Sequence, residues 1–346
     1  MFFASDNTGP APEQVLTAIA NANVGYQSGY GADDINAKAI EMIRTVFEAP
    51  EAAVYLVPTG TAANSLALAT LANPWDTIFC TPVAHIHVDE CNAPEFFSGG
   101  AKLTLVGSTD KMTPADLTAA IEAEGDRGVH GPQRGPISLT QITEDGRVYS
   151  LDELRALTDI AKSYGLSVHM DGARFANAIV ALGCTPAEMT WKAGIDAVSF
   201  GGTKNGLLGV EAVILFNPAK AMEFELRRKR GGHLFSKHRY LSAQMVAYLT
   251  DGLWLDLATR ANAAAAKLAA GLNAHPKAQF LYQPDGNLMF VSLPRSVHQR
   301  AFAAGAKYYT WGDVETGDPD EMVKARFVCD WSNDPALIDK FLDIIA

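Results

Sequence analysis

Short apolar runs alternate with longer stretches of helical periodicity along the amino-terminal part of the sequence, and this alternation restricts the fold more than any other feature. "AAVYLVPTG" reads as a strand and "TAANSLALATLA" as the helix after it. "DTIFCTPVAH" and "PISLTQIT" are further strands, and "LDELRALTDIAKSYG" is a helix leading into the strand and turn of "LSVHMDGAR". Upstream, "PAPEQVLTAIANAN" predicts a helix with proline in its first turn, and "DDINAKAIEMIRTVFEA" predicts a second. Strands separated by helices of this length need crossover connections, so the pattern predicts an α/β fold with a mostly parallel sheet. Ligands in such sheets bind beyond the carboxyl ends of the strands. Gly125 to Pro136, "GDRGVHGPQRGP", is expected to be a flexible loop.

The pattern changes after about Ser242. A long alanine-rich helix, "LWLDLATRANAAAAKLAAGLNAH", precedes four short runs rich in aromatic and β-branched residues: "QFLYQP", "GNLMFVSLP", "AKYYTWG" and "KARFVCDW". These predict a small α+β domain. With 346 residues to organise, two domains are expected: residues 1–244, with an amino-terminal arm, and residues 245–346. No Pro/Gly/Ser linker marks the division, which is expected on a helix near Gln244.

Charge and cysteine usage limit the partners. A formal net charge of −11 argues against nucleic acid. No run approaches the roughly 18 apolar residues of a membrane span, and the start "MFFASDNTGPAPEQ" has no basic leader before an apolar stretch. The four cysteines form no CxxC pair, which fits a reducing compartment. A cytoplasmic location is therefore expected.

Four strand ends carry chemistry-bearing residues. Gly60 and Thr61 stand at a strand-to-helix turn, where free amides and the helix dipole suit a phosphate; Thr59 or Thr61 capping the helix is the plainer alternative. His85 and His87, two apart, would share one face of a strand. They could seed a metal site, and hence a metal-dependent hydrolase, lie against an aromatic cofactor, or be hydrogen-bonded structural histidines. Asp171 ends an apolar strand three residues before Arg174. The two could pair, or Asp171 could hold a protonated ring nitrogen while Arg174 binds a carboxylate. Lys204, in "SFGGTKNGLLG", sits in a glycine-rich turn between two apolar strands, where an ammonium must find a partner or lose its proton. Together these residues suit pyridoxal phosphate, which needs a lysine, an acid for its ring nitrogen and a phosphate cradle.

In these stretches the sequence resembles the low-specificity L-threonine aldolases, within the aspartate-aminotransferase-like fold type I of pyridoxal-phosphate enzymes. The resemblance runs over nearly the whole chain. It is carried by "FASDNTG", "GYGADD", "PTGTAANSLAL", "AHIHVDECNAPEF", "HMDGARFANA" and "FGGTKNG". It implies an aldolase that splits L-threonine, L-allo-threonine and related β-hydroxy-α-amino acids reversibly into glycine and an aldehyde. Cofactor attachment at Lys204, a ring-nitrogen contact at Asp171, stacking at His85 and phosphate contacts at Gly60 and Thr61 follow from the resemblance. So do substrate contacts at Ser5, Tyr30, Arg174 and Arg326. The resemblance also implies a homotetramer, a dimer of dimers with active sites shared between subunits. In that arrangement Arg230 or Lys237 of the basic stretch "RRKRGGHLFSKHR" reaches a neighbour's phosphate; a solvated helix end is the alternative. Where some members carry a histidine near the substrate hydroxyl, this chain reads "TQITEDG", placing Glu144 there, so that either His85 or a bound water held by Glu144 would act on the hydroxyl. A β-eliminating lyase could use the same residues and would release a keto acid and ammonia instead.

Overall fold

The computed structural model describes residues 1–125 and 127–346. Seven strands form the larger sheet: β1 (Ala53–Val57), β2 (Asp76–Cys80), β3 (Lys102–Leu105), β4 (Gln133–Thr140), β5 (Val168–Gly172), β6 (Ala197–Gly201) and β7 (Glu211–Leu215). Their order is β1-β7-β6-β5-β4-β2-β3. β7 pairs antiparallel with both β1 and β6, while the pairings from β6 through β3 are parallel. The cause is local: only residues 202–210 join β6 to β7, too few for the crossover that a parallel neighbour requires. β7 therefore starts at the edge where its neighbours end.

Side chains alternate between two cores, as the strand period of two dictates. Val54, Leu56, Val198 and Phe200 pack with Phe47 and Phe175 on one face. Ala53, Val57, Ala197 and Val213 pack on the other against Ala62, Ala63, Leu66 and Ala67 of the helix Gly60–Leu71. That helix is buried from Ala62 through Thr70, so small residues on every side let it lie close against the sheet. The helix expected to open with proline runs from Glu13 to Ala22, with Pro12 just before its first turn.

The second sheet has four antiparallel strands, β8 (Gln279–Phe280), β9 (Leu288–Pro294), β10 (Tyr309–Trp311) and β11 (Met322–Val328), in the order β10-β11-β9-β8. The long helix Leu253–Ala274 serves both layers. Trp254, Leu257 and Ala258 belong to the larger core; Ala264, Ala265, Leu268 and Leu272 belong to the smaller. Gln244 lies on the preceding helix, Arg239–Leu249. The amino-terminal arm crosses to the small sheet: Phe3 N–H donates to Lys307 O, Val328 N–H donates to Phe3 O (both 2.8 Å), and the Phe3 ring packs against Phe327 and Phe341.

The glycine-rich stretch departs from its expected loop. Asp126 lies outside the described residues, Gly128–His130 form a 3₁₀ turn, and Gln133 to Pro136 are already the first half of β4. Ladder pairing to β2 overrides the turn propensity of that glycine and proline.

Candidate active site

Beyond the carboxyl ends of β1, β4, β5 and β6 lies a cavity of ≈ 400 Å³. Its floor begins where β1 gives way to the helix Gly60–Leu71. The Thr59 hydroxyl caps that helix by accepting from Ala62 N–H at 3.2 Å. Both readings of this turn therefore hold together: Thr59 caps, and among the described residues the amides of Gly60 and Thr61 meet no acceptor.

Asp171 enters from the end of β5. Its Oδ2 accepts from Asn64 Nδ2 at 2.8 Å and its Oδ1 from Ala173 N–H at 2.9 Å. The same Asn64 nitrogen reaches Glu90 Oε1 at 2.9 Å, and Glu90 Oε1 lies 3.1 Å from His85 Nδ1. One amide thus joins Asp171 to the glutamate that orients His85. The hydrogen bond to Glu90 raises the His85 pKa, while burial raises that of Glu90. His169, two residues before Asp171 on the same face of β5, is buried between the hydroxyls of Ser138 (3.0 Å) and Ser199 (3.1 Å). Burial pushes its pKa down to about 4, so the ring is neutral.

Lys204 lies on the 3₁₀ turn Thr203–Asn205, which Gly206 closes with a left-handed φ of 106°. Burial, reinforced by the charge of Arg174, lowers the Lys204 pKa. A neutral amine at working pH is what a nucleophilic lysine needs. Glu211, the first residue of β7, faces the same cavity, and its Oε2 accepts from Gly202 N–H at 2.6 Å. Glu144 lines the cavity too: its Oε1 accepts from His85 N–H (2.8 Å) and from the Thr140 hydroxyl (2.9 Å), and its Oε2 is buried with no partner among the described residues. Burial pushes both glutamates up to about 7.

Arg174 pairs with Asp6 rather than with Asp171. Its Nε donates to Asp6 Oδ2 at 2.7 Å and its Nη2 to Asp6 Oδ1 at 3.0 Å, a fork on a carboxylate that Asn287 also holds. Burial works against the Asp6 charge, but Arg174 and Lys204 prevail and lower its pKa.

Lys204, His85, Asp171, Gly60, Thr61, Arg174 and Glu144 therefore share one cavity. Ser5 and Arg326 do not line it: Ser5 Oγ accepts from Asn7 N–H, and Arg326 Nη2 donates to Ala4 O at 3.1 Å beside the Tyr309 ring. Tyr30, Arg230 and Lys237 do not line it; all three are exposed on the same chain. The shared strand face expected for His85 and His87 is not formed. His85–Val88 is a helical turn, on which residues two apart point in nearly opposite directions, and His87 faces solvent. The metal seed thus loses its geometry.

Asn64, Glu90, Asp6 and Glu211 were missed in the sequence. Glu211 did carry a signal, as a charge within the apolar run "GVEAVILF". Asn64 and Glu90 carried none, since their partners are 107 and 26 residues away from Asn64.

Residues 3–294 match the family described as Beta-eliminating lyase. The chain is 40% identical over 337 residues to a low specificity L-threonine aldolase of a Pseudomonas species, covering 97% of this chain and 94% of that protein. Its structure matches that of Leishmania major threonine aldolase with a TM-score of 0.91 at 26% identity, covering 99% and 98% of the two chains. A serine palmitoyltransferase from Sphingomonas wittichii, 16% identical with a TM-score of 0.71 over 100% of this chain and 86% of its own, shares the fold alone. The antiparallel β7 inside an otherwise parallel sheet, the lysine turn at its mouth and a likeness that extends end to end agree: this chain belongs to the low-specificity L-threonine aldolase family of the β-eliminating lyases.

Proposed function

We propose that this protein is a pyridoxal-phosphate-dependent aldolase that cleaves L-threonine, L-allo-threonine and related β-hydroxy-α-amino acids to glycine and an aldehyde. The observation that carries the reading is the meeting of Lys204, Asp171, His85 and the free amides of Gly60 and Thr61 in one cavity. These residues fit the cofactor. A Cβ built at Gly60 meets nothing within 4 Å, so the turn stands open, and Asn64 Oδ1, Glu90 Oε2 and Glu144 Oε2 are buried polar atoms without partners. When bound, pyridoxal phosphate supplies the electron sink for the pair left behind as the Cα–Cβ bond breaks.

Each residue then has a task. Lys204 would offer the amine for covalent attachment, and the helix start at Gly60 and Thr61 would hold the phosphate. Asp171, fixed by Asn64 and Ala173, would hold the protonated ring nitrogen, and His85 would stack on the ring. Arg174, with Nε and Nη2 held by Asp6, keeps Nη1 for the substrate carboxylate, and Arg326 supports it from the small sheet. Fixing that carboxylate turns the Cα–Cβ bond into the reactive orientation. Glu144 takes the hydroxyl proton, directly or through a water, because a carboxyl titrating near 7 is well matched to that transfer.

Tyr30, Arg230 and Lys237, exposed and outside the cavity lining of their own chain, are free to serve a neighbour's site in a homotetramer. Four unpaired cysteines support a reducing, cytoplasmic setting. No helix among the described residues is long and apolar enough to cross a membrane. The family description favours β-elimination as a second reading.

The test is product analysis with L-threonine and L-allo-threonine in the presence of pyridoxal phosphate. Glycine and acetaldehyde in equal amounts are expected; keto acid and ammonia would transfer the assignment to β-elimination. Lys204→Ala should abolish turnover, and sustained turnover by that variant would sink the assignment.

A further inference from the structure

We propose that Glu211 is a positioning residue for Lys204, fastening the turn that carries the lysine and setting a removable negative charge beside its amine. The proposal rests on the reading of Lys204 as the cofactor lysine. Its basis is topological. Because β7 alone runs against the sheet, its first residue pairs in register with Gly201 at the end of β6 and with Val57 at the end of β1. A side chain there emerges between the lysine turn and the helix start at Gly60. Glu211 uses the place twice. Its Oε2 holds Gly202 N–H at 2.6 Å, two residues before Lys204, and its carboxyl lines the cavity that Lys204 lines.

No salt bridge joins the two groups among the described residues, so Glu211 acts on Lys204 as a nearby charge and not as a hydrogen-bonded partner. The charged groups around Lys204 come from several elements. Arg174 favours the neutral amine, while Asp6, Asp171 and Glu211 favour the ammonium, and His85 lines the same cavity. Around Glu211 the titratable groups are Lys204 and Tyr248, whose hydroxyl approaches from the helix Arg239–Leu249. Asp6 and Asp171 are occupied by Arg174 and Asn64, whereas among the described residues the side chain of Glu211 is hydrogen-bonded only by Gly202 N–H, at the start of the lysine's own turn. It is the acid whose charge state can change without breaking another element's contact. Burial places that change near neutrality. As pH rises, Glu211 gains its charge and makes Lys204 harder to deprotonate, so the two ionisations oppose each other.

The experiment follows Lys204 on the full-length, cofactor-free chain. An amine-specific arylating reagent is applied over a range of pH, and modification of Lys204 is read by mass spectrometry. Glu211→Gln keeps an acceptor for Gly202 N–H and removes the charge. The midpoint of Lys204 labelling should move to lower pH, with labelling severalfold faster on the acid side of the original midpoint. An unchanged or raised midpoint would reduce Glu211 to an anchor of the turn and overturn the proposal. If the variant does not fold, the unsubstituted chain still decides: its labelling profile should bend twice, and a single ionisation would overturn it. Protection of Lys204 by added pyridoxal phosphate reports separately on the cofactor reading, since its failure leaves the labelling midpoints intact.

Discussion

In the proposed mechanism, one carboxyl group that ties the reaction to pH is that of Glu144. Its folded pKa is raised to about 7 from an ordinary 4.5, so folding favours the protonated form. As a base it works only when deprotonated, so activity should rise through about pH 7. Glu144→Gln should lose that rising limb and roughly 10²–10⁴-fold in kcat, measured as aldehyde release across pH. Stability has the opposite sign. The contribution of Glu144 is fully present below pH 4.5 and is lost as pH rises through about 7. Relative to Glu144→Gln, the cofactor-free chain should therefore lose about 3 kcal/mol over that interval in urea unfolding. A difference that stays constant with pH would place the carboxyl in water. Residues of this kind explain which parts of the site were legible. Lys204, Asp171 and Arg174 announced themselves as charges at the ends of apolar strands, because an unpaired charge there has few bland explanations. Glu90 and Asn64 gave no such sign, since what makes them functional is each other and Asp171, assembled from three separate elements.

The elements around the site meet at very short range, and glycine makes this possible. A Cβ at Gly201 would come within 2.5 Å of Ala173 O and 2.8 Å of Gly172 O, so β6 can end beside the turn after β5 only without a side chain. Gly201→Ala should cost roughly 1–3 kcal/mol in thermal unfolding. Gly60→Ala is the contrast. Its Cβ meets nothing of this chain, so stability should barely change while pyridoxal phosphate affinity falls severalfold, measured by titration. Wild-type affinity in Gly60→Ala would move the phosphate elsewhere. The same scale shows where sequence patterning succeeds. Alternating strand and helix runs predicted the parallel layers, because burial on two faces imposes that pattern directly. They did not predict the reversal of β7, which depends on the length of one connection, and they mistook a helical turn at His85 for strand because two histidines happened to stand two apart.

In the whole molecule, the amino-terminal arm holds the two sheets to one site. Phe3 is anchored in the small core, and three residues later Asp6 grips Arg174 beside the cavity. Asp6→Ala would leave that guanidinium largely buried and unpaired, at a cost of about 3–5 kcal/mol in urea unfolding. The double variant Asp6→Ala, Arg174→Met should recover part of the loss; no recovery would mean that the pair is not its cause. The arm also fixes when the enzyme becomes competent. Ala4 and Arg326, which touch, are 322 residues apart in sequence, and Phe3 needs both Lys307 and Val328 as partners. On the ribosome, Phe3 and Ala4 must therefore wait for Lys307, Arg326 and Val328. A nascent chain can present its lysine turn well before Arg326 and the strand that carries it have been made. Activity then switches on only once Arg326 and Val328 have joined the arm, so a chain that has not reached them consumes no amino acids while still being built from them.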